Sequence, residues 1–281
     1  MDRGLYTGAL AMLARVTDTD VISNNLANLN TVGYKRDTTV YRDFPSILAH
    51  RLHDEKFYTP LHIFDRAPFV GRMGTGVQVD DIVTEHDISP SLRQTDQPLD
   101  MALEGIPGVK RSYAFFEIMT PQGLRYTRAG NFTVNADGYL VTQDGAQVLG
   151  EKGPIQINLQ NVRFQPDGTI LYNAQYNGTG VNMWEQPREL DKLRIVSFEN
   201  VGGLEKVGYT FFKATKESGP PQTVLFGVKL RTGMLEVSNV NPVREMVDLI
   251  KSQRAYEAAS KVITTHDNLL GQAINNVGRV G

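Results

Sequence analysis

NPVREMVDLIKSQRAYEAASKVITTHDNLLGQAINNV, residues 241–277, decides the fold. Leu249, Tyr256, Ile263, Leu270 and Val277 recur every seven residues, and Ser252, Ala259, His266 and Ala273 stand three residues after the first four. That is an a/d heptad pattern, bulky at one position and mostly small at the other. No proline or glycine interrupts Val243 to Leu270. Asn241 can cap a helix, and Pro242 suits its first turn, where a missing N–H costs nothing. About 36 helical residues at ~1.5 Å each reach roughly 54 Å, too long for one compact domain, so the helix needs a partner along its length.

The partner is found at the other end of the chain. Leu5, Ala9, Met12, Val16, Ser23, Leu26 and Leu29 fall near helical spacing, with a polar gap at Thr17–Asp20. The pattern predicts a helix over 3–29, ended by Gly33. Val262 and Leu269 flank the C-terminal seam and make its apolar face wider than one partner needs, which points to a multi-chain bundle. Between the ends, 98–230 reads as β. Short apolar runs such as Ala114–Met119, Arg125–Thr127, Ile155–Ile157 and Thr169–Tyr172 alternate with Asn135-Ala136-Asp137-Gly138, Asp144-Gly145 and Pro166-Asp167-Gly168. Asp-Gly turns at that spacing predict hairpins of an antiparallel sheet. The expected class is α+β: long N- and C-terminal helices paired in coiled-coil fashion, with an antiparallel β domain inserted between them. The expected parts are an N-terminal helix (1–33), an extended connector (34–90), a β domain (91–230) that folds alone, and a C-terminal connector and helix (231–281).

Composition narrows the chemistry. The chain has 281 residues, 41% hydrophobic, with a formal net charge of -2 and no cysteine. The charge balance gives no global basic field for nucleic acid. Without cysteine there are no disulfides, thiolate zinc sites or cysteine nucleophiles. No run approaches ~18 apolar residues, so no membrane insertion is expected. At the start, the apolar run Ala9–Ala14 is short and stops at Arg15, so Met1–Ala14 reads as mature sequence rather than a cleaved leader. Gly71, Gly74 and Gly76 lack the strand–loop–helix context of a dinucleotide loop. His50 and His53 lie three apart beside Asp54 and Glu55, two ligands where a metal site needs three or four. Glu117, Asp137 and Asp144 are the carboxylates that an acid/base pair would draw on, and a periplasmic hydrolase acting on cell-wall glycan is the enzymatic alternative. Asp137 and Asp144, however, sit in turns whose backbone geometry explains them. The expectation is no catalysis, no cofactor and no metal.

Several blocks of sequence carry a resemblance. Ile22-Ser23-Asn24-Asn25-Leu26-Ala27-Asn28-Leu29-Asn30-Thr31, followed by Val32-Gly33-Tyr34-Lys35, resembles the N-terminal signature of bacterial flagellar rod and hook proteins. Leu235-Glu236-Val237-Ser238-Asn239-Val240-Asn241 and the heptads after it resemble the family's C-terminal signature. Gly74-Thr75-Gly76-Val77, Thr95–Ala102, Tyr126–Phe132 and Asp137–Val141 are similar to the middle of the rod pattern, in order. The start, Met1–Tyr6, is more similar to proximal-rod members of the F type, and next to distal-rod members of the G type. One departure is the stretch Val109–Ala114 between Gly108 and Phe115-Phe116, which implies a longer loop on the β domain. The resemblance implies a structural subunit of the flagellar basal-body rod, exported by the flagellar type III apparatus. Its partners would be copies of itself and other rod proteins. The residues it assigns to assembly are Leu5, Ala9, Met12, Val16, Asn24, Asn25, Leu26, Asn28 and Leu29 in the first segment. In the last they are Asn239, Asn241, Leu249, Tyr256, Ala259, Val262, Ile263, Leu269, Leu270 and Val277.

Overall fold

The computed structural model describes residues 3–43, 47–50, 69–74, 76–86, 91–105, 113–157, 162–173, 187–223 and 228–277. The chain divides into two compact units. The first comprises Met1–Asn24, Asp37–Val83 and Val243–Gly281, and the second Asn25–Arg36 and Thr84–Pro242.

The first unit is built on helix α1, Arg3–Ala27, and helix α2, Pro242–Val277. The polar gap of α1 stays helical because Thr17 and Thr19 donate their hydroxyls back to the carbonyls of Leu13 and Arg15. Three levels of contact orient the helices. Gly4 faces the His266 ring, and a Cβ on Gly8 would lie 2.9 Å from Ile263 Cγ1. Ser252 Oγ donates to the Arg15 carbonyl at 3.1 Å and lies 3.1 Å from Thr19 Oγ1. As residue numbers rise along α1 they fall along α2, so the two run antiparallel. The glycines let the backbones approach, and the bulky α2 residues sit over them. The stretch expected as a connector contributes strands: Asp37–Asp43 pairs with Val77–Thr84, and Ile47–His50 runs antiparallel to Phe69–Met73. The first of these pairs packs on α1. Thr39 Oγ1 donates to Asp18 at 2.7 Å, the Arg15 guanidinium lies over the Tyr41 ring, and Gly76 abuts Leu10.

The second unit centres on the strand Ala114–Thr120, buried on both faces. Side chains alternate across a strand. Ala114, Phe116 and Ile118 therefore enter one core with Met101, Leu103, Leu140, Val148 and Ile170, while Phe115 enters another with Tyr126, Phe198 and Phe212. Gly123–Thr127, Gln147–Gly150 and Ile195–Ser197 all pair with this strand, antiparallel. They belong to a ten-stranded sheet running from Glu205–Val207 to Thr133–Val134. The Asn135 turn forms as its sequence predicts: Asn135 Oδ1 accepts from the N–H groups of Asp137 and Tyr139, and Gly138 takes φ +82. The run Ile155–Ile157 differs from expectation, since the paired residues are Gly153–Pro154 and Gln156 makes only an isolated bridge to Tyr139. Met101–Gly105 pairs with Val228–Thr232, and Leu92–Gln94 with Met234–Glu236. The loop expected to be lengthened after Gly108 lies outside the described residues up to 112. This unit reaches past 91–230 in both directions, taking in Asn25–Arg36 and the strand around Glu236.

Candidate assembly surfaces

Two chain segments far apart in sequence meet in the second unit through one buried carboxylate. The Gly33 N–H donates to the Glu236 carbonyl at 2.9 Å. Gly33 takes φ +70 and lies so close to the Arg128–Ala129 peptide that a Cβ would come within 2.5 Å of the Ala129 nitrogen, which only glycine allows. The next residues then point inward. Lys35 Nζ donates to Glu236 Oε1, and Arg128 Nε donates to Oε2 at 2.7 Å, all three side chains being 1% exposed. Arg128 donates further to the carbonyls of Ala114 (2.6 Å) and Leu103 (3.1 Å) through its two terminal nitrogens. Its guanidinium stacks over Tyr113, 4.5 Å from the ring centre. Outside this cluster, Asn239 accepts from the Arg36 N–H at 2.7 Å and donates to the Glu85 carbonyl, while Arg36 pairs with the Glu85 carboxylate.

Two cations share one anion here, and the titration behaviour follows. Burial lowers the Lys35 pKa, Glu236 pulls it up and Arg128 pushes it further down; the sum is a lowered value. Burial would also lower that of Arg128, but Glu236 and Tyr113 outweigh it and the guanidinium is held charged. His86, 5% exposed, lies edge-on to Phe212, Tyr113 and Phe115, and its Nδ1 has no hydrogen-bond partner among the described residues. Burial first, then Lys35, Lys206 and Arg128, push its pKa down to about 3, so the ring is neutral.

The asparagines of the signature are partly engaged within the chain. Asn25 and Asn28 are buried. Asn25 Oδ1 accepts from the Tyr34 hydroxyl at 3.0 Å, and Asn28 Oδ1 from Thr31 at 3.1 Å. Asn24 and Asn241 are exposed; Leu26 and Leu29 are half-buried. Lys35, Arg128 and Glu236 lie within the signature blocks quoted above, but their residue types alone do not set them apart from surface charges, and sequence reasoning did not single them out.

The helices of the first unit carry the remaining expected residues. On α2, Leu249, Ala259 and Ile263 are partly covered, Ser252 is buried, and Tyr256, Val262, Leu269 and Leu270 are exposed. The side chain of Val277 lies outside the description. On α1, Leu5 and Met12 are half-buried, while Ala9 and Val16 are exposed. The face of α1 that meets α2 is Gly4, Gly8, Arg15 and Thr19. Further large apolar side chains, unmarked by the heptad reading, are also open to solvent: Tyr6 and Leu13 on α1, and Val243, Met246, Val247, Ile250 and Ile274 on α2. Such a run of exposed apolar groups on a helix pair marks an interaction surface.

Among the described residues no constellation for catalysis accompanies these surfaces. Glu117 is buried and faces Arg194 at 3.0 Å; burial raises its pKa while Arg194 opposes the shift. Asp137 and Asp144 are exposed in turns. The side chains of His50 and His53 lie outside the description, and among the described residues no group of three acidic or histidine side chains is placed to hold a metal. Among the same residues no helix is long and apolar enough to cross a membrane.

Comparison with known proteins matches these segments in turn. Residues 5–35 match the family described as flagella basal body rod protein, and 112–172 the D1 domain of the flagellar hook protein FlgE/F/G. Residues 231–276 match the C-terminal part of the flagellar basal body rod FlgEFG protein. The chain is 34% identical over 277 residues to the flagellar basal-body rod protein FlgG of Caulobacter vibrioides, covering 95% of this chain and 97% of that one. It is 33% identical over 286 residues to FlgG of Borreliella burgdorferi, covering 99% and all of the relative. To the rod protein FlgF of Caulobacter vibrioides it is 28% identical over 283 residues, the full length of both.

Proposed function

The chain belongs to the flagellar basal-body rod protein family, and we propose that it builds the tubular shaft of the basal body through its two terminal helices. It is a structural subunit, not an enzyme. The observation that carries this reading is the antiparallel pair of α1 and α2. It covers one face of each helix inside the chain and leaves Leu13, Val16, Ile250, Leu269 and Leu270 exposed. In the shaft these faces pack against the same helices of neighbouring subunits as coiled-coil seams. The assembly residues assigned above, from Leu5 to Leu29 and from Asn239 to Val277, belong to that contact or support it.

In this reading 1–33 and 231–281 form the shaft wall, 34–90 links them outward, and 91–230 is the β layer. Torque passes from motor to hook through packed helices, whose close packing resists shear. The cluster of Lys35, Arg128 and Glu236 ties both chain segments adjoining the helices to the β unit. The shaft crosses the periplasm, its neighbours are further copies and other rod proteins, and the chain leaves the cytoplasm unfolded through the flagellar type III apparatus. Nucleic acid and membrane insertion play no part. An in-frame deletion in the source bacterium tests the assignment: cells should lose hooks and filaments and regain them with the intact gene. Normal flagella in the deletion strain would overturn it.

A further inference from the structure

We propose that Val228–Val237 is a strap that closes the second unit last, so that the unit stays open until nearly the whole chain has emerged from its site of synthesis. The strap pairs with the strands that open the unit. Val228–Thr232 runs antiparallel to Met101–Gly105, and Met234–Glu236 to Leu92–Gln94. Gly233 joins the two halves at φ +71. Its carbonyl accepts from the N–H groups of Thr95 (2.8 Å) and Asp96 (3.1 Å), and its own N–H donates to the Asp100 carbonyl at 2.8 Å. Leu230 N–H donates to the Pro166 carbonyl and Val237 N–H to that of Ser91. Arg231 Nε reaches Glu104 at 2.7 Å across 127 positions of chain.

Taking the strap away undoes three things together. Among the described residues neither Met101–Gly105 nor Leu92–Gln94 has another strand partner, so both lose their ladder. Leu230 belongs to the core that holds Met101, Leu103, Phe116 and Ile118, and its departure opens that core to water. Arg128 loses the Glu236 carboxylate. The guanidinium cannot shed its proton, so it would have to be buried unpaired against the Ala114 carbonyl, where the strand Ala114–Thr120 begins. Core, ladder and counter-ion thus arrive in one segment.

A polypeptide emerges N-terminus first. Gly33, Lys35, Leu92–Gln94, Met101–Gly105, Arg128 and the strand Ala114–Thr120 all precede the strap, and only a short link and α2 follow it. Closing such long loops costs entropy before the contacts at their ends repay it. The order of the chain therefore sets the moment of folding.

Native-state hydrogen exchange of the full chain in rising urea tests the dependence on the strap. Amides of Val228–Val237 and of Ala114–Thr127 should lose protection together. An opening that frees Val228–Val237 while Ala114–Thr127 stays protected would overturn the proposal. Chains stalled on the ribosome behind an unstructured linker test the order. With the emerged part ending at residue 227, a brief thermolysin pulse should degrade the stretch 114–223; with it ending at 241, that stretch should survive. Survival at 227 would overturn the proposal, and so would survival only after α2 has emerged, which would assign closure to the helix. The chain ending at 241 with residues 228–237 replaced by a glycine–serine stretch of equal length should be degraded. Its survival would show that length, and not the strap, decides.

Discussion

Replacing Glu236 by glutamine removes the only carboxylate, among the described residues, bonded to Lys35 and Arg128 while keeping the shape of the side chain. Both cations are 1% exposed. Breaking a buried pair from one side costs about 3–5 kcal/mol, because the charge left behind is neither solvated nor paired. The glutamine oxygen can still accept one hydrogen bond, which puts the loss near the lower end, about 3 kcal/mol. For a unit of this size each kcal/mol shifts the melting temperature by about 2–4 °C, so a drop of about 10 °C is expected. Arg128 cannot shed its proton, but Lys35 can, and its folded pKa is already below the free value. A folded pKa lowered in this way makes stability rise with pH towards the unfolded value. The deficit of Glu236→Gln should therefore shrink between pH 7 and pH 9.5. Adding Lys35→Met should recover part of the loss by removing one of the two uncompensated cations. The assay is calorimetry of the full chain, with the single and double variants forming a cycle. A melting temperature for Glu236→Gln within about 2 °C of the parent would refute the claim that this carboxylate holds the junction together.

The same cluster predicts that the fragment 91–230 will not unfold cooperatively. It retains Arg128 in a buried site but lacks Lys35 and Glu236, and it loses the strand partner of Leu92–Gln94; a cooperative calorimetric transition matching the full chain's would contradict this. Acid should weaken the second unit through His86. Its folded pKa of about 3 lies below the ordinary 6.5, so the unfolded chain binds the proton first and stability falls as pH drops from 6.5 towards 3. The loss is about 2 kcal/mol by pH 5, and urea titrations of His86→Leu should show a flatter acid limb. Leu270→Asp should leave the melting of the isolated chain unchanged, because the side chain is 41% exposed there. In cells it should abolish hooks and motility, since a buried seam in the shaft would carry an unpaired charge in every copy. Normal swimming would show that the seam is not an assembly surface.

How far the sequence could be read depended on which residues carried a pattern. The C-terminal heptads pointed to part of the covered side of α2: Leu249, Ser252, Ala259, Ile263 and His266 are at least partly covered, while Tyr256, Leu270 and Ala273 of the same pattern are exposed. The face of α1 that meets α2 left no such trace: Gly4 and Gly8 act by lacking side chains, and apolar periodicity does not register an absence. The turns around Asn135 and Gly138 were legible because a local backbone requirement selects those residues. The ion cluster was not. Lys35 and Glu236 are 201 positions apart, and charges in loops and short strands look like solvent-facing ones until the fold brings them together. The pairing of Asp37–Asp43 with Val77–Thr84 was hidden for a similar reason, since its partners are separated by a long insertion and are mostly exposed, with little alternation to mark them.

The most direct test of the central claim is a density map of intact basal bodies from the source bacterium, at a resolution that separates helices. The account predicts this subunit in the rod, with α1 and α2 packed side by side in the tube wall against those of neighbouring copies and the β unit outside them. A map that places the subunit outside the rod, or that shows the β units lining the lumen with α1 and α2 facing solvent, would contradict it.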